Sequence, residues 1–505
     1  MEFFNQLPKW QQELSAILIL LAVVVFVIAR LPKIEIEHSA QYKARRAINW
    51  LILGFTYAFL YMARYNLTVS KSKFENIPKF DHIPNSPPLM DNNDFATIFM
   101  VGSIVYGVAF IINGPLTDKI GGMRAIVIGA IGALIANLAM GLMTWNIVFI
   151  SGDHAWLKTY FVEGFTILYA INMYFQSFGA VAIVKCNASW FHLRERGVFG
   201  AIFGILISLG IYFAYDWGLI IVNYSGKDSY DSLPWVFFIP SIALFVLGLA
   251  SWLFVKDRPS LAGLEDIDTA DANIGNEKQL SAFQVFNLMI RNPIIMIIAC
   301  VEFSSGFLRQ AIMQWYRTYA KQTDGVLHLK TSYIYDHWGM FLCCAGILGG
   351  VFAGIISDHL FQSRRGPVAS ILYGILLIGA IILTFTYQNP NVVGPLVLLM
   401  SMSVIGVHGM LSGTASMDFG GKKNVGVVVG IIDGFVYLGT GVMSLIYGAL
   451  LPKEQLNSAK QIIGPATDPQ EWIYWPLAMI PFALMGFLFA IKLWHAKPSK
   501  KSSAH

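Results

Sequence analysis

The chain reads Gly114-Pro115-Leu116-Thr117-Asp118 between two apolar segments, and a cluster of small and basic residues follows at Gly121, Gly122 and Arg124. A second copy of the pattern reads Gly354-Ile355-Ile356-Ser357-Asp358 and is followed by Arg364, Arg365 and Gly366. A chance charged loop would explain one copy, but it explains two matched copies poorly. Their positions in the two halves of an apolar chain indicate two related structural units, which is typical of secondary transporters.

The composition is that of a membrane protein. Of the 505 residues, 56% are hydrophobic and only 13% are charged, whereas soluble proteins carry about 25% charged residues. Apolar runs of about 20 residues are long enough to cross a bilayer as helices, and these runs do not alternate as β-barrel strands do. They predict an all-α fold of two six-helix bundles, with spans near 46–70, 94–117, 124–147, 159–187, 197–222, 234–255, 293–320, 334–357, 367–387, 393–417, 425–450 and 471–494.

A shorter apolar run at residues 14–29 precedes the twelve spans. An additional uncleaved helix is favoured because no small-x-small cleavage site follows the run. A cleaved signal peptide and a helix lying on the membrane surface are the alternatives. The predicted units are an N-terminal anchor and basic linker (1–40), a first bundle (41–255), a cytoplasmic linker (256–292), a second bundle (293–495) and a basic cytoplasmic tail (496–505).

The distribution of basic residues predicts the orientation of the chain. Cytoplasmic loops accumulate Lys and Arg, and alternate loops carry such residues at Arg124, Arg194, Arg196, Arg364, Arg365, Lys422 and Lys423. We therefore expect a multi-pass protein of the cell (inner) membrane with a cytoplasmic C-terminus. This topology also explains the net charge of +5 without a nucleic-acid partner.

Several kinds of site are missing from the sequence. No GxxxxGK[ST] loop for a nucleotide and no HExxH or GxSxG motif of a hydrolase is present. The four cysteines lie in or beside apolar segments without metal-ligand spacing. We expect neither an enzyme nor a metal or cofactor site.

Two arginines lie inside predicted spans, Arg64 late in the first and Arg309 in the seventh. Such a charge costs about 2.5–3.5 kcal/mol on insertion scales and usually faces a cavity. Spans 1 and 7 are equivalent in the two halves, so the two guanidinium groups are predicted to meet near the central axis. Two planar forks suit a phosphate dianion. Alternatively each arginine is neutralised by a structural acid, and Glu302 lies on the same helical face as Arg309.

Other polar residues of the spans have two interpretations each. Tyr57 and Tyr61 share a helical face with Arg64, where they either donate hydrogen bonds to a bound anion or form a packing stripe. Lys185, near the inner end of span 4, either contacts the substrate or extends towards the membrane surface. Asp433 in span 11 is a proton-coupling acid, a partner of a site arginine, or a helix-packing residue.

The repeated acidic loops predict a latch at the cytoplasmic face. In the first half it consists of Asp118 with Arg124, and in the second of Asp358 with Arg364 and Arg365. Opposite charges at the membrane surface can pair in one conformation and separate in another. We therefore expect these residues to affect the conformational cycle more than substrate binding.

Four segments carry a resemblance to a known family. They are Tyr61-x-x-Arg64-x-Asn66, Phe175-Gln176 leading into Trp190-Phe191, Arg309 followed by Trp315 and Thr318-Tyr319, and Lys422-Lys423 followed by Gly430 and Tyr437-Leu438-Gly439. Residues 41–495 resemble the major facilitator superfamily. Through these four segments the chain resembles, within that superfamily, the organophosphate:phosphate antiporter family of glycerol-3-phosphate and hexose-phosphate transporters. Bacterial members typically carry a histidine in the fifth helix, where this chain has Ile207.

The resemblance implies exchange of a phosphorylated small metabolite for inorganic phosphate by alternating access, with Arg64 and Arg309 binding the anion. Two other functions stay open: a proton-coupled carrier of an organic anion that uses Asp433, and a membrane sensor of a phosphosugar. The expected partners are an anionic substrate, phosphate or a proton as the second ion, and the lipid bilayer. We expect a monomer.

Overall fold

A computed structural model describes residues 9–30, 38–80, 86–150, 155–192, 196–226, 229–268, 282–361, 365–457 and 462–495. Long helices dominate these ranges: α1 Lys9–Arg30, α2 Ala40–Phe74, α3 Asn92–Ile120, α4 Gly122–Phe149, α5 Phe161–Asn187, α6 Arg196–Tyr212, α7 Trp235–Phe254, α8 Pro293–Gln322, α9 Trp338–Ile355, α10 Arg365–Thr386, α11 Pro390–His408, α12 Ser416–Leu450 and α13 Met479–Lys492. The connection predicted between spans 10 and 11 is helical backbone, because α12 begins at Ser416.

Shorter elements lie between the long helices. Short α-helical segments occur at Ala155–Thr159, Gly218–Val222, Ala282–Ile290, Asp324–Leu327, Tyr333–Asp336 and Tyr474–Leu477. Wider π-helical turns follow α6, α9 and α11 at Phe213–Trp217, Ile356–Leu360 and Gly409–Ala415. Tight 3₁₀ turns occur at Pro259–Ala262, Leu329–Thr331, Pro465–Thr467 and Pro469–Trp472. After α12 the strands β1 Gln455–Leu456 and β2 Ile462–Ile463 pair antiparallel in a small hairpin.

The helices α2 to α13 correspond to the twelve predicted spans. Ten segments of the described chain are long and apolar enough to cross a membrane. The other two spans are α2, whose hydropathy is lowered by Arg64 and its polar neighbours, and α9, which is shorter. The all-α prediction of a multi-pass membrane protein is therefore confirmed.

The predicted segment 14–29 lies within α1, a helix of 22 residues. It packs against α9, and the Ser15 hydroxyl lies 2.7 Å from the hydroxyl of Tyr333. Leu20 and Val27 are buried in the same apolar cluster as residues of α2, α6 and α9. Other apolar side chains of α1, such as Leu18 and Val25, are exposed on the outside of the bundle, as expected for a helix in lipid.

The two halves meet along two pairs of helices, α3 with α12 and α6 with α9. Glycines make the first contact possible. A Cβ on Gly107 would lie only 2.8 Å from the carbonyl oxygen of Gly434, and a Cβ on Gly114 would collide with the carbonyl oxygen of Gly426. The backbones of α3 and α12 therefore touch directly, as small residues allow in membrane helices.

The central linker begins as an ordered segment. The backbone N–H of Lys256 donates to Asn49 Oδ1 at 2.8 Å, and the Asn49 amide returns a bond to the Lys256 carbonyl at 3.2 Å. Asp257 Oδ1 accepts from the Met123 N–H at 2.7 Å, at the beginning of α4. We call this side of the molecule the linker face. The opposite side, where Glu75 and the β1–β2 hairpin lie, is the hairpin face.

Candidate anion site between the two halves

Arg64 of α2 is completely buried at the contact between the halves. Its Nε and Nη2 donate to Gln176 Oε1 at 3.2 and 3.0 Å, and its Nη1 donates to the hydroxyl of Tyr437 at 2.7 Å. Nη2 also donates to the hydroxyl of Tyr106. The guanidinium carbon lies 4.6 Å from the ring centre of Tyr61 and 4.4 Å from that of Tyr106. Among the described residues, the charge is therefore held by uncharged groups and by no carboxylate.

A break in α5 accompanies the placement of Gln176 beside Arg64. The helix is interrupted at Ser177, whose N–H and hydroxyl both point to the carbonyl of Tyr174, at 3.3 and 2.7 Å. Such a local bond tightens the turn and bends the helix. Gln176, the last residue before the break, is fully buried and bonds Arg64 with its side-chain oxygen.

Arg309 of α8 is the second buried arginine, 5% exposed. Its Nε and Nη2 atoms are buried and have no hydrogen-bond partner among the described residues. The guanidinium carbon lies 6.0 Å from the ring centre of Tyr437, and the corresponding distance for Arg64 is 5.6 Å. Both guanidinium groups thus lie beside one aromatic ring, as predicted from their equivalent positions. An unpaired edge of a buried guanidinium is suited to an anion that binds with two oxygens.

Close packing of α8 and α12 brings Tyr437 next to Arg309. A Cβ on Gly306 would collide with the carbonyl oxygen of Val436, and one on Gly439 would collide with that of Phe303. Only glycine permits this approach, and the two glycines lie within one turn of the site residues. The ring of Tyr437 is thereby fixed between the two halves.

The predicted tyrosines of α2 line the same region. Tyr57 and Tyr61 are each 4% exposed, and their rings meet edge to face with centres 5.1 Å apart. Tyr61 stacks under Arg64, whereas Tyr57 packs against Gly179, where a Cβ would lie 2.8 Å from the ring. The structure places Tyr61 at the site itself and Tyr57 one turn away. Donation from either hydroxyl to a bound anion stays a prediction.

The acids of the second half have their own partners. Glu302 Oε2 lies 2.8 Å from His408 Nδ1, and Asp433 accepts a hydrogen bond from the Ser412 hydroxyl. In the described part of the chain, neither acid forms an ion pair with Arg309. Neutralisation of Arg309 by Glu302, the alternative raised by the sequence, is thus not the arrangement seen. His408 is a partner of Glu302 on α8, and Asp433 stays a prediction as a coupling residue.

Lys185 lies at the linker face, where its Nζ is 2.6 Å from Asp118 Oδ1. Asp118 Oδ2 also occupies the space beside Gly426 of α12, since a Cβ there would lie 2.7 Å away. The contact seen for Lys185 is thus with the predicted latch and not with the arginine site. Arg124 is exposed. The side chain of Asp358 and the whole of Arg364 lie outside the described residues, so the second copy of the latch stays a prediction.

A buried ionic network joins the halves at the hairpin face. Lys71 Nζ lies 2.7 Å from Glu75 and 2.8 Å from Glu454, and Lys321 of α8 pairs with the other oxygen of Glu75. The Asn92 N–H donates to Glu454 at 2.7 Å. Burial raises the pKa of Glu75, but Lys321 and Lys71 outweigh it and bring its pKa down to about 2. The network ties the two halves together at this face of the molecule.

A helix cap across the halves strengthens the same connection. Asp216, in the π turn after α6, accepts the N–H groups of Gly339 and Met340, each at 2.8 Å. These residues belong to the first turn of α9, whose N-terminal N–H groups favour a negative charge. A residue of the first half thereby caps a helix of the second.

Three residues of the arginine site were not assigned to it from the sequence: Tyr106, Gln176 and Tyr437. Gln176 and Tyr437 lie in segments that resemble the family, but their role as partners of Arg64 depends on tertiary contacts. The signal that was available is chemical, since each is a hydrogen-bonding side chain inside an otherwise apolar span.

Twelve membrane-spanning helices in two halves, with a polar site where the halves meet, define a membrane transporter of the two-bundle class. The family model described as Major Facilitator Superfamily matches residues 51–444. The chain belongs to this superfamily, whose members are transporters and not enzymes. The predicted membership is confirmed.

The relatives include carriers of phosphorylated compounds, as the resemblance predicted. The chain is 25% identical to the glycerol-3-phosphate transporter of Bacillus subtilis over 90% of its length and 94% of that protein. It is 28% identical to the hexose-6-phosphate:phosphate antiporter of Escherichia coli over 54% of this chain and 58% of that protein. It is 22% identical to the membrane sensor protein UhpC of Salmonella typhimurium over 81% of this chain and 86% of that protein.

The fold agrees with a solved transporter structure. A crystal structure of a single-site mutant of the nucleoside transporter NupG matches with a TM-score of 0.51 at 14% identity, over 88% of this chain and 98% of NupG. At this identity the likeness concerns the fold alone.

Proposed function

We propose that the protein exchanges a phosphorylated small metabolite for inorganic phosphate across the cell membrane by alternating access. The observation that carries the proposal is the buried, unpartnered Nε–Nη2 edge of Arg309 beside the caged guanidinium of Arg64. A buried donor left without a partner costs about 1–3 kcal/mol, and more when the group is charged. A phosphate oxygen pair satisfies both N–H groups and neutralises the charge.

The relatives narrow the chemistry of the anion. The name of the Bacillus protein specifies glycerol-3-phosphate as its substrate. The name of the Escherichia protein specifies exchange of hexose-6-phosphate for phosphate. A phosphate monoester and inorganic phosphate share the dianionic head that two arginines bind. We propose that the two arginines bind the phosphate group and that the surrounding tyrosines contact the organic part of the substrate.

The two faces supply the elements of alternating access. The network of Lys71, Glu75, Lys321 and Glu454 joins the halves at the hairpin face, and Asp118 meets α12 near the linker face. We place the linker face and the C-terminus in the cytoplasm, as the basic loops predict, and the hairpin face outside. One polypeptide contains the complete site, so a monomer is sufficient.

Counterflow tests this function directly. Purified protein in proteoliposomes loaded with phosphate should take up labelled phosphate, and a panel of external organophosphates should compete for it. Glycerol-3-phosphate, glucose-6-phosphate, and the matched unphosphorylated glycerol and glucose form the panel. Competition by the phosphorylated compounds alone supports the proposal, whereas no exchange with any of them contradicts it.

The relationship to UhpC and the additional helix α1 favour a second candidate, a membrane sensor of phosphosugars. A sensor would bind the same anion at Arg64 and Arg309 but would transport it slowly. Ligand-dependent thermal stabilisation without counterflow would favour the sensor over the carrier.

A further inference from the structure

A polar seam between α2 and α8 runs from the arginine site to the hairpin face. Both helices present polar side chains at helical spacing along it: Gln310, Gln314, Arg317 and Lys321 on α8, and Tyr65, Thr68 and Ser72 on α2, with Glu75 directly after its end. Residues three or four apart share a helix face. The seam therefore joins the two halves over several turns.

Hydrogen bonds connect the lower part of the seam. Gln310 Nε2 donates to the Tyr65 hydroxyl at 2.8 Å, and Gln314 Nε2 donates to Gln310 Oε1 at 3.0 Å. Gln314 Oε1 in turn accepts from the hydroxyl of Thr68 and from that of Tyr215, the latter at 3.3 Å. A chain of hydrogen-bonded side chains thus runs from Tyr65, the residue next to Arg64, towards the hairpin face.

Beside Gln314 the seam borders a small cavity that we call the vestibule. Its wall includes Thr68, Ser72, Arg317, Thr318 and Lys321. The basic residues Lys71 and Lys321 at its rim are neutralised by the two acids of the hairpin-face network. The charge of Arg317 is not neutralised in this way.

Arg317 lies eight residues, about two helical turns, beyond Arg309 on the same helix. Its guanidinium carbon is 4.7 Å from the ring centre of Tyr335, and within the described chain no carboxylate pairs with it. A guanidinium stacked on an aromatic ring keeps its N–H edge available for an anion. The cavity, the uncompensated charge and the polar seam occur together at one place.

We infer that the vestibule is an access site, where Arg317 binds the phosphate group of the substrate or inorganic phosphate before it moves to Arg309. This inference rests on the proposed function and adds a second anion site to it. The ligand is a phosphate dianion in free solution on the hairpin side. The hydroxyls of Ser72 and Thr318 line the two walls of the cavity and donate within their own helices to the carbonyl oxygens of Val69 and Gln314, so Arg317 is the donor that would bind the anion.

The test compares the two directions of entry. Phosphate exchange is measured in proteoliposomes with one orientation selected, and labelled phosphate is added on either side. R317Q should raise the KM for entry from the hairpin face roughly tenfold, the effect of one charge-assisted hydrogen bond. Its maximal rate and its KM for entry from the linker face should not change. The matched control is K330Q, which removes an exposed positive charge on the same face.

A second measurement reads occupancy of the vestibule without transport. S72C places a thiol on the wall, and phosphate should slow its labelling by a charged thiol reagent. The protection should disappear when R317Q is added to S72C. Vesicles of phosphatidylcholine, with and without phosphatidylglycerol, separate free phosphate from an anionic lipid headgroup.

Each outcome decides one of the two proposals. An unchanged KM from the hairpin face in R317Q, or an effect seen only with phosphatidylglycerol, overturns the access site while the exchange function stands. Equal loss from both faces with a lower maximal rate also overturns it, because Arg317 would then act in the central site or in folding. Phosphate protection of S72C in a protein that exchanges nothing supports the access site and contradicts the proposed function.

Discussion

The difference between the two arginines leads to a prediction about Arg309→Lys. Lysine keeps the charge but presents no bidentate edge. Arg309 donates no hydrogen bond from Nε or Nη2 in the described structure, so the substitution removes no bond of this edge from the empty protein. A bound phosphate would lose about one charge-assisted hydrogen bond, worth about 1.5–3 kcal/mol. We therefore expect phosphate binding to weaken roughly 10- to 150-fold, with unchanged thermal stability in the absence of phosphate.

Arg64→Lys should behave differently. Arg64 donates to Gln176, Tyr437 and Tyr106, and one ammonium group cannot reach all these acceptors in the same geometry. Each acceptor left unsatisfied in the buried site costs about 1–3 kcal/mol. The variant should lose thermal stability even without phosphate, in addition to losing exchange activity.

The assay combines two measurements on the same purified proteins. Thermal unfolding in detergent, with and without phosphate, separates stability from binding, and phosphate exchange in proteoliposomes reports function. Arg291→Lys is the control, since Arg291 is exposed just before α8. Unaltered phosphate binding in Arg309→Lys would refute the reasoning. So would equal destabilisation of the Arg309 and Arg64 variants in the absence of phosphate.

Three further predictions concern acids at the two faces and in the second half. Asp118→Asn should slow exchange with little change in KM, because it weakens the 2.6 Å ion pair with Lys185 at the linker face and leaves the arginines untouched. Glu75→Gln should open the hairpin face, read by faster thiol labelling of a cysteine at Ser72. The pKa of Glu75 is lowered to about 2 from an ordinary 4.5, so its contribution to closure is complete above pH 4.5 and is lost as pH falls towards 2; the Gln variant should not show this acid opening. Asp433→Asn should retain phosphate counterflow, and a proton gradient alone should not concentrate substrate in the unmodified carrier.

Exposed acids provide the controls for these variants. Glu265→Gln alters an exposed acid of the linker, and Asp231→Asn alters one between α6 and α7. A large loss of affinity in Asp118→Asn with normal turnover would contradict the latch. Labelling in Glu75→Gln that matches the control would contradict closure by the ionic network. Gradient-driven accumulation that disappears in Asp433→Asn would establish proton coupling instead of exchange.

The twelve spans and the buried arginines were predictable because both depend on local properties of the sequence. Hydropathy over about 20 residues decides whether a helix can cross a bilayer, and a charge within such a segment is costly wherever it lies. Arg64 and Arg309 are therefore recognisable from the sequence without knowledge of their neighbours. Because spans 1 and 7 are equivalent in the two halves, the sequence also predicts that the two arginines lie close together. In the structure both guanidinium groups lie beside the ring of Tyr437.

The partners of these charges could not be predicted in the same way. Tyr106 and Gln176 reach Arg64 from α3 and α5 because of helix contacts and a break at Ser177, which no local pattern specifies. The pairing of Glu302 with His408 depends in turn on the register between α8 and α11. The position of Lys185 in span 4 allows a contact with the substrate, but only the three-dimensional structure shows Asp118 beside it.

The structure also changes the explanation of why such a carrier would exchange substrates instead of releasing them. Two like-charged arginines that face each other without a bound anion repel, and this repulsion alone would keep the empty halves apart. Tyr437 belongs to the same half as Arg309, yet its hydroxyl accepts a hydrogen bond from Arg64 of the other half. This bond holds the empty halves together and opposes the repulsion. The remaining cost of an empty site is the unpaired edge of Arg309, at least about 1–3 kcal/mol because the group is charged. That energy corresponds to at least roughly a 5- to 150-fold preference for the loaded protein. If the protein has the proposed function, it favours exchange over return of the empty carrier by a finite factor, which the unpaired edge of Arg309 sets. The bond between Arg64 and Tyr437 reduces this factor because it stabilises the empty protein.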